Sequence, residues 1–219
     1  MSGRVRYLRH MRVELALHSL REGEGRPLLL LHGLGEQTPS SVPVHADDWP
    51  GPVHGLDFTG HGLSTVPVGG GYTAEALMSD ADAALAEVGP ATVFGRGLGA
   101  YTALQFAGAR PDLVKGAVLA DGPGLFGGAS GATTPFVLAP EGLEAGLSPD
   151  PFALLELSRD IRPTDYAMDF LRQAVQLSGL AEPITISAVG RPDWLAAVAS
   201  DPAVRFAPLD QALAHYHHT

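Results

Sequence analysis

Residues 94–100 read Phe-Gly-Arg-Gly-Leu-Gly-Ala and lie between a short apolar run and a segment with helical spacing. The apolar run at 91–94 predicts a buried strand, and residues 98–109 predict a helix that ends before Pro111. Three glycines in five positions permit close packing of strand and helix at the turn between them. The stretch therefore predicts a strand, a tight turn centred on Gly97 and a helix.

Strand and helix signals alternate on both sides of this turn. Residues 73–88 have apolar side chains at helical spacing, and residues 116–120 form another apolar run. Residues 28–31 are four consecutive leucines, a pattern typical of a central strand that is buried on both faces. This alternation favours a mostly parallel sheet with right-handed crossovers and helices on both faces.

The rest of the chain completes a predicted α/β domain of about eight strands. Residues 5–8 and 13–19 alternate apolar and polar side chains, which indicates an antiparallel pair at the sheet edge. A strand with a weaker sequence signal is predicted at 53–58, inside this sheet. Further helices are predicted at 151–159, 164–178 and 193–199 and from Leu209 onward, and further strands at 184–189 and 204–207. Residues 122–180 predict a short cap excursion within one domain that spans 1–219.

The composition excludes several classes of function. The 219-residue chain carries a formal net charge of -10 with a single lysine, so we expect no nucleic-acid partner, because such binding depends on basic patches. The absence of cysteine excludes disulfides and thiolate metal sites, and we expect no metal and no cofactor. No stretch resembles a signal peptide or approaches the roughly 18 apolar residues of a membrane span, so we expect a cytoplasmic protein with no membrane partner.

Three motifs, in the same order along the chain, resemble those of the α/β-hydrolase fold superfamily. Residues 28–35, Leu-Leu-Leu-Leu-His-Gly-Leu-Gly, are similar to the strand whose following amide lines the oxyanion hole. Residues 57–64, Asp-Phe-Thr-Gly-His-Gly-Leu-Ser, resemble a conserved turn of these enzymes. Residues 95–99, Gly-Arg-Gly-Leu-Gly, match the nucleophile elbow Gly-x-Ser-x-Gly with Gly97 in place of the serine. The resemblance implies the α/β-hydrolase fold over nearly the whole chain.

One of the two other triad positions is also altered. The resemblance places the catalytic acid after the strand at 184–189, where Asp193 stands, although Asp193 is also a candidate N-cap for the following helix. The catalytic histidine is expected directly after the last strand, where the sequence has Asp210. His215 lies five residues farther on, about 7 Å along a helix, and is a possible displaced base. Asp121, after the strand at 116–120, is either a relocated acid or a carboxylate that accepts turn amides.

The part of the resembling site that remains is suited to binding. Amides at the start of the helix after Gly97, together with the loop that follows His32, are oriented to bind a carbonyl oxygen or an anion. The predicted ligand-binding residues are His32, Gly33, Leu34, Gly97 and Leu98. They predict a small carbonyl or carboxylate ligand.

Three functions follow from these features. The first is a protein of hydrolase fold that lacks serine-hydrolase catalysis and binds a small ligand or a protein partner. The second is an active small-molecule hydrolase or lyase, with ester-type substrates, that uses relocated aspartate and histidine groups. The third is a structural module that builds a homo-oligomer and whose crevice is filled by side chains or closed.

Overall fold

The elements of the protein follow the alternation that the sequence predicts. The structure is a computed structural model that describes residues 4–128 and 146–217. In chain order it has β1 (Arg4–His10), β2 (Val13–Arg21), β3 (Leu28–Leu31), a 3-10 turn (Val44–Ala46), β4 (Val53–Leu56), α1 (Ala74–Val88), β5 (Ala91–Arg96), α2 (Leu98–Ala109), β6 (Val114–Ala120), α3 (Pro151–Arg159), α4 (Thr164–Leu177), β7 (Ile184–Ser187), α5 (Asp193–Val198), β8 (Val204–Phe206) and α6 (Leu209–His215).

The eight strands form one sheet in the order β1-β2-β4-β3-β5-β6-β7-β8. The edge strand β1 is antiparallel to β2, and β2 is antiparallel to β4. All the remaining neighbours pair in parallel. The predictions of about eight strands, a mostly parallel sheet and an antiparallel pair at its edge are therefore confirmed. The loops that follow β3, β5, β6 and β7 meet at one edge of the sheet, because the carboxyl ends of parallel strands lie together.

The sheet is buried between two apolar layers. Leu29 and Leu31 of β3 face the larger core, which the buried sides of α1, α2, α4 and α5 complete. Leu28 and Leu30 face a smaller core that includes Phe94 and is covered by α6 and the 3-10 turn. This alternation on one strand explains why its sequence is apolar at every position.

Two strands end two residues earlier than predicted, and polar side-chain contacts follow each of them. The strand predicted to reach residue 58 ends at Leu56, and the buried carboxylate of the next residue, Asp57, accepts backbone amides from two loops. The strand predicted over 184–189 ends at Ser187, because the amide of Val189 donates to the Asp121 side chain. Part of the predicted excursion at 122–180, residues 129–145, lies outside the described residues, and α3 and α4 account for much of the remainder.

A membrane span was also tested. Within residues 4–128 and 146–217, no helix combines the length and the apolar character that crossing a bilayer requires.

Candidate functional site

The turn between β5 and α2 has the backbone of a sharp elbow. Gly97 has φ 59° and ψ -120°, a conformation that strongly favours glycine. Its amide donates to the carbonyl oxygen of Ala120, at the end of β6, over 3.0 Å. The elbow therefore stands at the carboxyl edge of the sheet, as the sequence predicts.

The two amides predicted to bind a ligand are both occupied by the chain itself. The amide of Leu34 donates to the carbonyl oxygen of Pro123 over 3.0 Å, and the amide of Leu98 donates to the same oxygen over 2.9 Å. One backbone carbonyl thus accepts from both sides of the crevice. A carbonyl or carboxylate ligand reaches these amides only after Pro123 has moved.

The space above the elbow is filled as well. A Cβ atom built on Gly97 would overlap the carbonyl oxygen of Pro123 and would lie 2.6 Å from the carbonyl carbon of Gly122. Such separations are far inside van der Waals contact. Residue 97 therefore has no room for any side chain while Pro123 is in this position.

Residues 121–125, here termed the plug loop, are fixed from three directions. The Asp121 carboxylate accepts the amides of Val189 and Gly190 over 2.6 and 2.9 Å. Arg162, which is 4% exposed, donates through Nη1 to the carbonyl oxygen of Leu125 over 2.6 Å and also to that of Gly124. The indole nitrogen of Trp194 donates to the same Leu125 oxygen over 3.0 Å. Hydrogen bonds from the loop after β7, from α5 and from the segment before α4 thus hold the plug loop over Gly97.

His32 braces the loop after β3. Its Nδ1 donates to the carbonyl oxygen of Gly33 over 2.7 Å, and its Nε2 accepts the amide of Phe58 over 3.1 Å. Burial, together with the neighbouring His61, lowers the pKa of His32 to about 4. Both ring nitrogens are engaged, so His32 positions the backbone around Gly33 and has no nitrogen left for a ligand.

The structure does not bring the predicted triad residues together. Asp193 is exposed and is the first residue of α5, so it is not the N-cap, which is Pro192. Asp210 is exposed in the first turn of α6. His215 Nε2 lies 3.4 Å from a carboxylate oxygen of Glu182, which precedes β7 and therefore stands at the amino edge of the sheet. The position of His215, opposite the elbow, does not support a role as a displaced base.

Comparison with solved structures shows the same architecture across nearly the whole chain. A N-formylmaleamic acid deformylase variant from Pseudomonas putida S16 matches with a TM-score of 0.64 and 18% identity, covering 94% of this chain and 91% of that one. The thioesterase domain from the curacin biosynthetic pathway matches with a TM-score of 0.63 and 16% identity, covering 99% and 97%. The protein has the α/β-hydrolase fold.

Sequence comparison gives a shorter match to a curated hydrolase. The (E)-2-((N-methylformamido)methylene)succinate hydrolase of Acinetobacter baylyi is 33% identical over 105 residues. The match covers 45% of this chain and 38% of that enzyme, so it spans well under half of its length. No family model matches the sequence.

Sequence reasoning missed a second polar centre of this α/β-hydrolase-fold protein. Asp57 is 1% exposed and lies 2.8 Å from His18 Nε2, while its two oxygens also accept the amides of Thr38 and Leu63. Burial tends to raise the pKa of Asp57, but these hydrogen bonds outweigh it and hold the pKa below its usual range. The Asp57 motif was identified in the sequence, but His18 carries no local signal of the partnership because it lies on another strand.

The plug loop was missed for a related reason. Asp121-Gly122-Pro123 after β6 was identified as a turn, but nothing in the sequence indicates that the Pro123 carbonyl faces Leu34 and Leu98. Arg162 lies in the excursion and carries no motif. The burial of its side chain is evident only in the structure.

Proposed function

We propose that this α/β-hydrolase-fold protein has no serine-hydrolase activity and acts by binding. Gly97 stands at the position of the nucleophile in the resembling elbow and offers no atom that attacks a carbonyl. Loss of a serine nucleophile lowers turnover by a factor on the order of a million in a well-studied hydrolase. The observation that carries the proposal is the Pro123 carbonyl, which accepts both Leu34 and Leu98 amides and fills the space over the elbow.

The histidines of the described segments support the same proposal. A general base must lie within hydrogen-bond reach of the group that it activates. His18 pairs with Asp57 inside the turn motif, and His215 pairs with Glu182 at the opposite edge of the sheet. Neither pair involves the relocated carboxylates considered above. These two pairs therefore give no geometric support to the alternative of an active hydrolase or lyase with relocated groups.

The plug loop also bears on the predicted ligand. The Leu34 and Leu98 amides have the chemistry to hold a carbonyl oxygen, and a carbonyl oxygen of the chain occupies them. In this proposal the oxyanion amides fix the plug loop, and a small carbonyl or carboxylate ligand binds to them only if it displaces that loop. The net charge of -10 favours partners other than nucleic acid, and a cytoplasmic location remains part of the proposal.

Hydrolysis of p-nitrophenyl acetate and of an N-formyl amide by the natural chain tests the absence of catalysis. The formyl amide is included because the relative from Acinetobacter baylyi is named for a formamido substrate. We expect no saturable turnover above the buffer rate and no labelling by a fluorophosphonate probe, because residue 97 has no nucleophile. Saturable turnover that Asp121→Asn or Asp193→Asn abolishes would instead establish the relocated mechanism.

A titration with acetate tests the occupied amides directly. We expect the amide resonances of Leu34 and Leu98 to be protected from hydrogen exchange and to stay in place as acetate is added, since both already donate to Pro123. Saturable shifts of both resonances at millimolar acetate would show that the crevice is open to ligands and that the plug loop is not its resident occupant.

A further inference from the structure

A cavity at the amino edge of the sheet, opposite the elbow, has the size of a binding site. Its volume is about 480 Å³, within the range of roughly 300–1,000 Å³ that is usual for small-molecule sites. Pro27, Pro52 and Pro90, which come just before β3, β4 and β5, contribute to its wall. The elbow stands at the other ends of these parallel strands, so this cavity is separate from the crevice that the plug loop fills.

Three polar side chains form a row across neighbouring strands at this cavity. Arg4 of β1 lies opposite Ser19 of β2, and Ser19 lies opposite His54 of β4. Opposite residues of adjacent strands project from the same face of the sheet, and each strand is about 4.8 Å from the next. All three residues line the cavity. Their side chains are therefore within reach of a single small ligand.

Arg4 and His54 are available to such a ligand. Arg4 is exposed, and its side chain forms no ion pair or hydrogen bond within residues 4–128 and 146–217. The ring of His54 is partly buried and also makes no hydrogen bond within these segments, yet its nitrogens are not sealed in the core. Burial lowers the pKa of His54, so the ring is neutral at pH 7 and donates one N–H.

Two carboxylates also line the cavity, and each already has a partner. Glu87, near the end of α1, forms an ion pair with Arg6. Glu22 accepts the hydroxyl of Ser19 over 2.7 Å. Neither carboxylate pairs with Arg4, so the Arg4 guanidinium faces the cavity with its donors unused.

The distribution of charge along the chain favours an anion at this end of the sheet. Six of the 14 basic residues but only three of the 24 acidic residues lie within residues 1–26, so the hairpin of β1 and β2 is basic in an acidic protein. A local excess of positive charge attracts anions. Arg26 also lines the cavity, but its Nη1 donates to the carbonyl oxygen of Tyr216 over 2.9 Å, so it is not counted among the ligand donors.

We propose that this cavity binds a small soluble molecule that carries a phosphate group, with Arg4 and His54 as donors to the phosphate oxygens. A guanidinium holds two of these oxygens at once, and the His54 ring donates to the third. The Ser19 hydroxyl lies between them and becomes a further donor once the phosphate replaces Glu22 as its acceptor. Three terminal oxygens match this row better than the two of a carboxylate. Leu17 and the three prolines border the remaining volume, which suits an apolar body.

Calorimetric titration of the full chain with phenyl phosphate, benzoate and phenol tests the proposal. These probes share a ring and differ in carrying a phosphate, a carboxylate or a neutral hydroxyl. We expect phenyl phosphate to bind in the millimolar range or tighter, benzoate at least about threefold more weakly and phenol at least about tenfold more weakly. Phenol or benzoate that binds as tightly as phenyl phosphate, or phenyl phosphate that does not bind at millimolar concentration, would overturn the proposal.

Single variants assign binding to this cavity. We expect Arg4→Met to weaken phenyl phosphate about tenfold and His54→Phe, which keeps a ring without nitrogens, to weaken it about three- to tenfold. Glu22→Gln removes a nearby negative charge and is expected to tighten binding about two- to threefold. Arg12→Met is the matched control, because Arg12 is exposed on the same hairpin but lines a different cavity.

The control separates a local site from the general charge of the hairpin. Thermal melting first establishes that each variant is folded. We expect Arg12→Met to keep the affinity for phenyl phosphate within about twofold, because screening by salt weakens the effect of distant exposed charges. Equal losses in Arg4→Met and Arg12→Met, or unchanged affinity in both Arg4→Met and His54→Phe, would contradict the assignment.

Vesicles that contain phosphatidic acid distinguish a soluble ligand from a lipid headgroup, since this lipid also presents a phosphate group. We expect the chain to stay in the supernatant when such vesicles are sedimented. Co-sedimentation that Arg4→Met abolishes and Arg12→Met preserves would place the phosphate in a membrane and overturn the proposal of a soluble ligand.

Discussion

Gly97→Ser restores the motif of a nucleophile elbow, and we expect it to destabilise the protein rather than to activate it. The new Cβ would overlap the Pro123 carbonyl oxygen, and the new residue would have to keep φ near 59° and ψ near -120°. Either the side chain remains under strain, or the plug loop leaves the elbow. In the second case the amides of Leu34 and Leu98 lose their shared acceptor.

The cost follows from two separate terms. Holding a non-glycine residue in this backbone conformation costs about 1–3 kcal/mol. Overpacking against backbone atoms adds about 1–3 kcal/mol. Together they lower the free energy of unfolding by roughly 2–6 kcal/mol, a large part of the 5–15 kcal/mol typical of a folded protein. For a chain of this size, that corresponds to a melting temperature lower by roughly 4–24 °C.

Thermal melting and an esterase assay test this prediction together. Gly179→Ser is the matched control, because Gly179 has φ 74° but its Cβ position is open, so this variant carries backbone strain without overlap. We expect Gly97→Ser to melt well below Gly179→Ser and to show no burst or turnover with p-nitrophenyl acetate. A Gly97→Ser protein that melts with or above the control would refute the overlap argument. Saturable ester hydrolysis would refute the claim that the crevice is closed.

Two further predictions concern the groups around the elbow. Since burial lowers the pKa of His32 to about 4, nitrogen NMR should show a neutral ring with the proton on Nδ1 at pH 5. In the unfolded chain His32 takes up a proton below about pH 6.5. The free energy of unfolding therefore falls by up to about 3 kcal/mol as the pH drops from about 6.5 to 4. A ring that titrates near pH 6.5 in the folded protein would contradict this. Asp121→Ala removes the acceptor for the Val189 and Gly190 amides, and we expect hydrogen exchange at Leu34 and Leu98 to quicken about three- to tenfold as the plug loop loosens. Exchange that is unchanged at both amides would show that Asp121 does not hold the loop.

Local signals were sufficient to predict most of the fold. The helix at 98–109 and the helix at 151–159 have the predicted bounds, because apolar spacing and flanking glycine or proline define both their faces and their ends. Thr73, the first residue of the segment predicted to be helical, is the N-cap of α1, and its Oγ1 accepts the amide of Ala76 over 3.2 Å. Such signals act over a few residues, so the sequence carries them directly.

The candidate site was less predictable because its contacts join distant segments. The motifs correctly placed Gly97 and the loop after His32 at the same edge of the sheet. They did not indicate that Pro123 would accept the amides of both, or that Arg162 would be buried beneath the plug loop. Hydrogen bonds between loops depend on how each loop turns, and turn geometry at glycine-rich positions is weakly specified by sequence.

The glycine at 97 and the plug loop depend on each other. A side chain at the elbow would exclude the Pro123 carbonyl, and without that carbonyl two buried amides would lack an acceptor, at a cost of about 1–3 kcal/mol each. Each feature is therefore stable in the presence of the other. Under the proposed function, a serine-hydrolase site at the elbow requires at least two coupled changes, a side chain at 97 and release of a loop that Asp121, Arg162 and Trp194 hold. A single substitution at the elbow therefore tests the packing around residue 97. A test for hydrolysis must combine that substitution with a change that frees the plug loop.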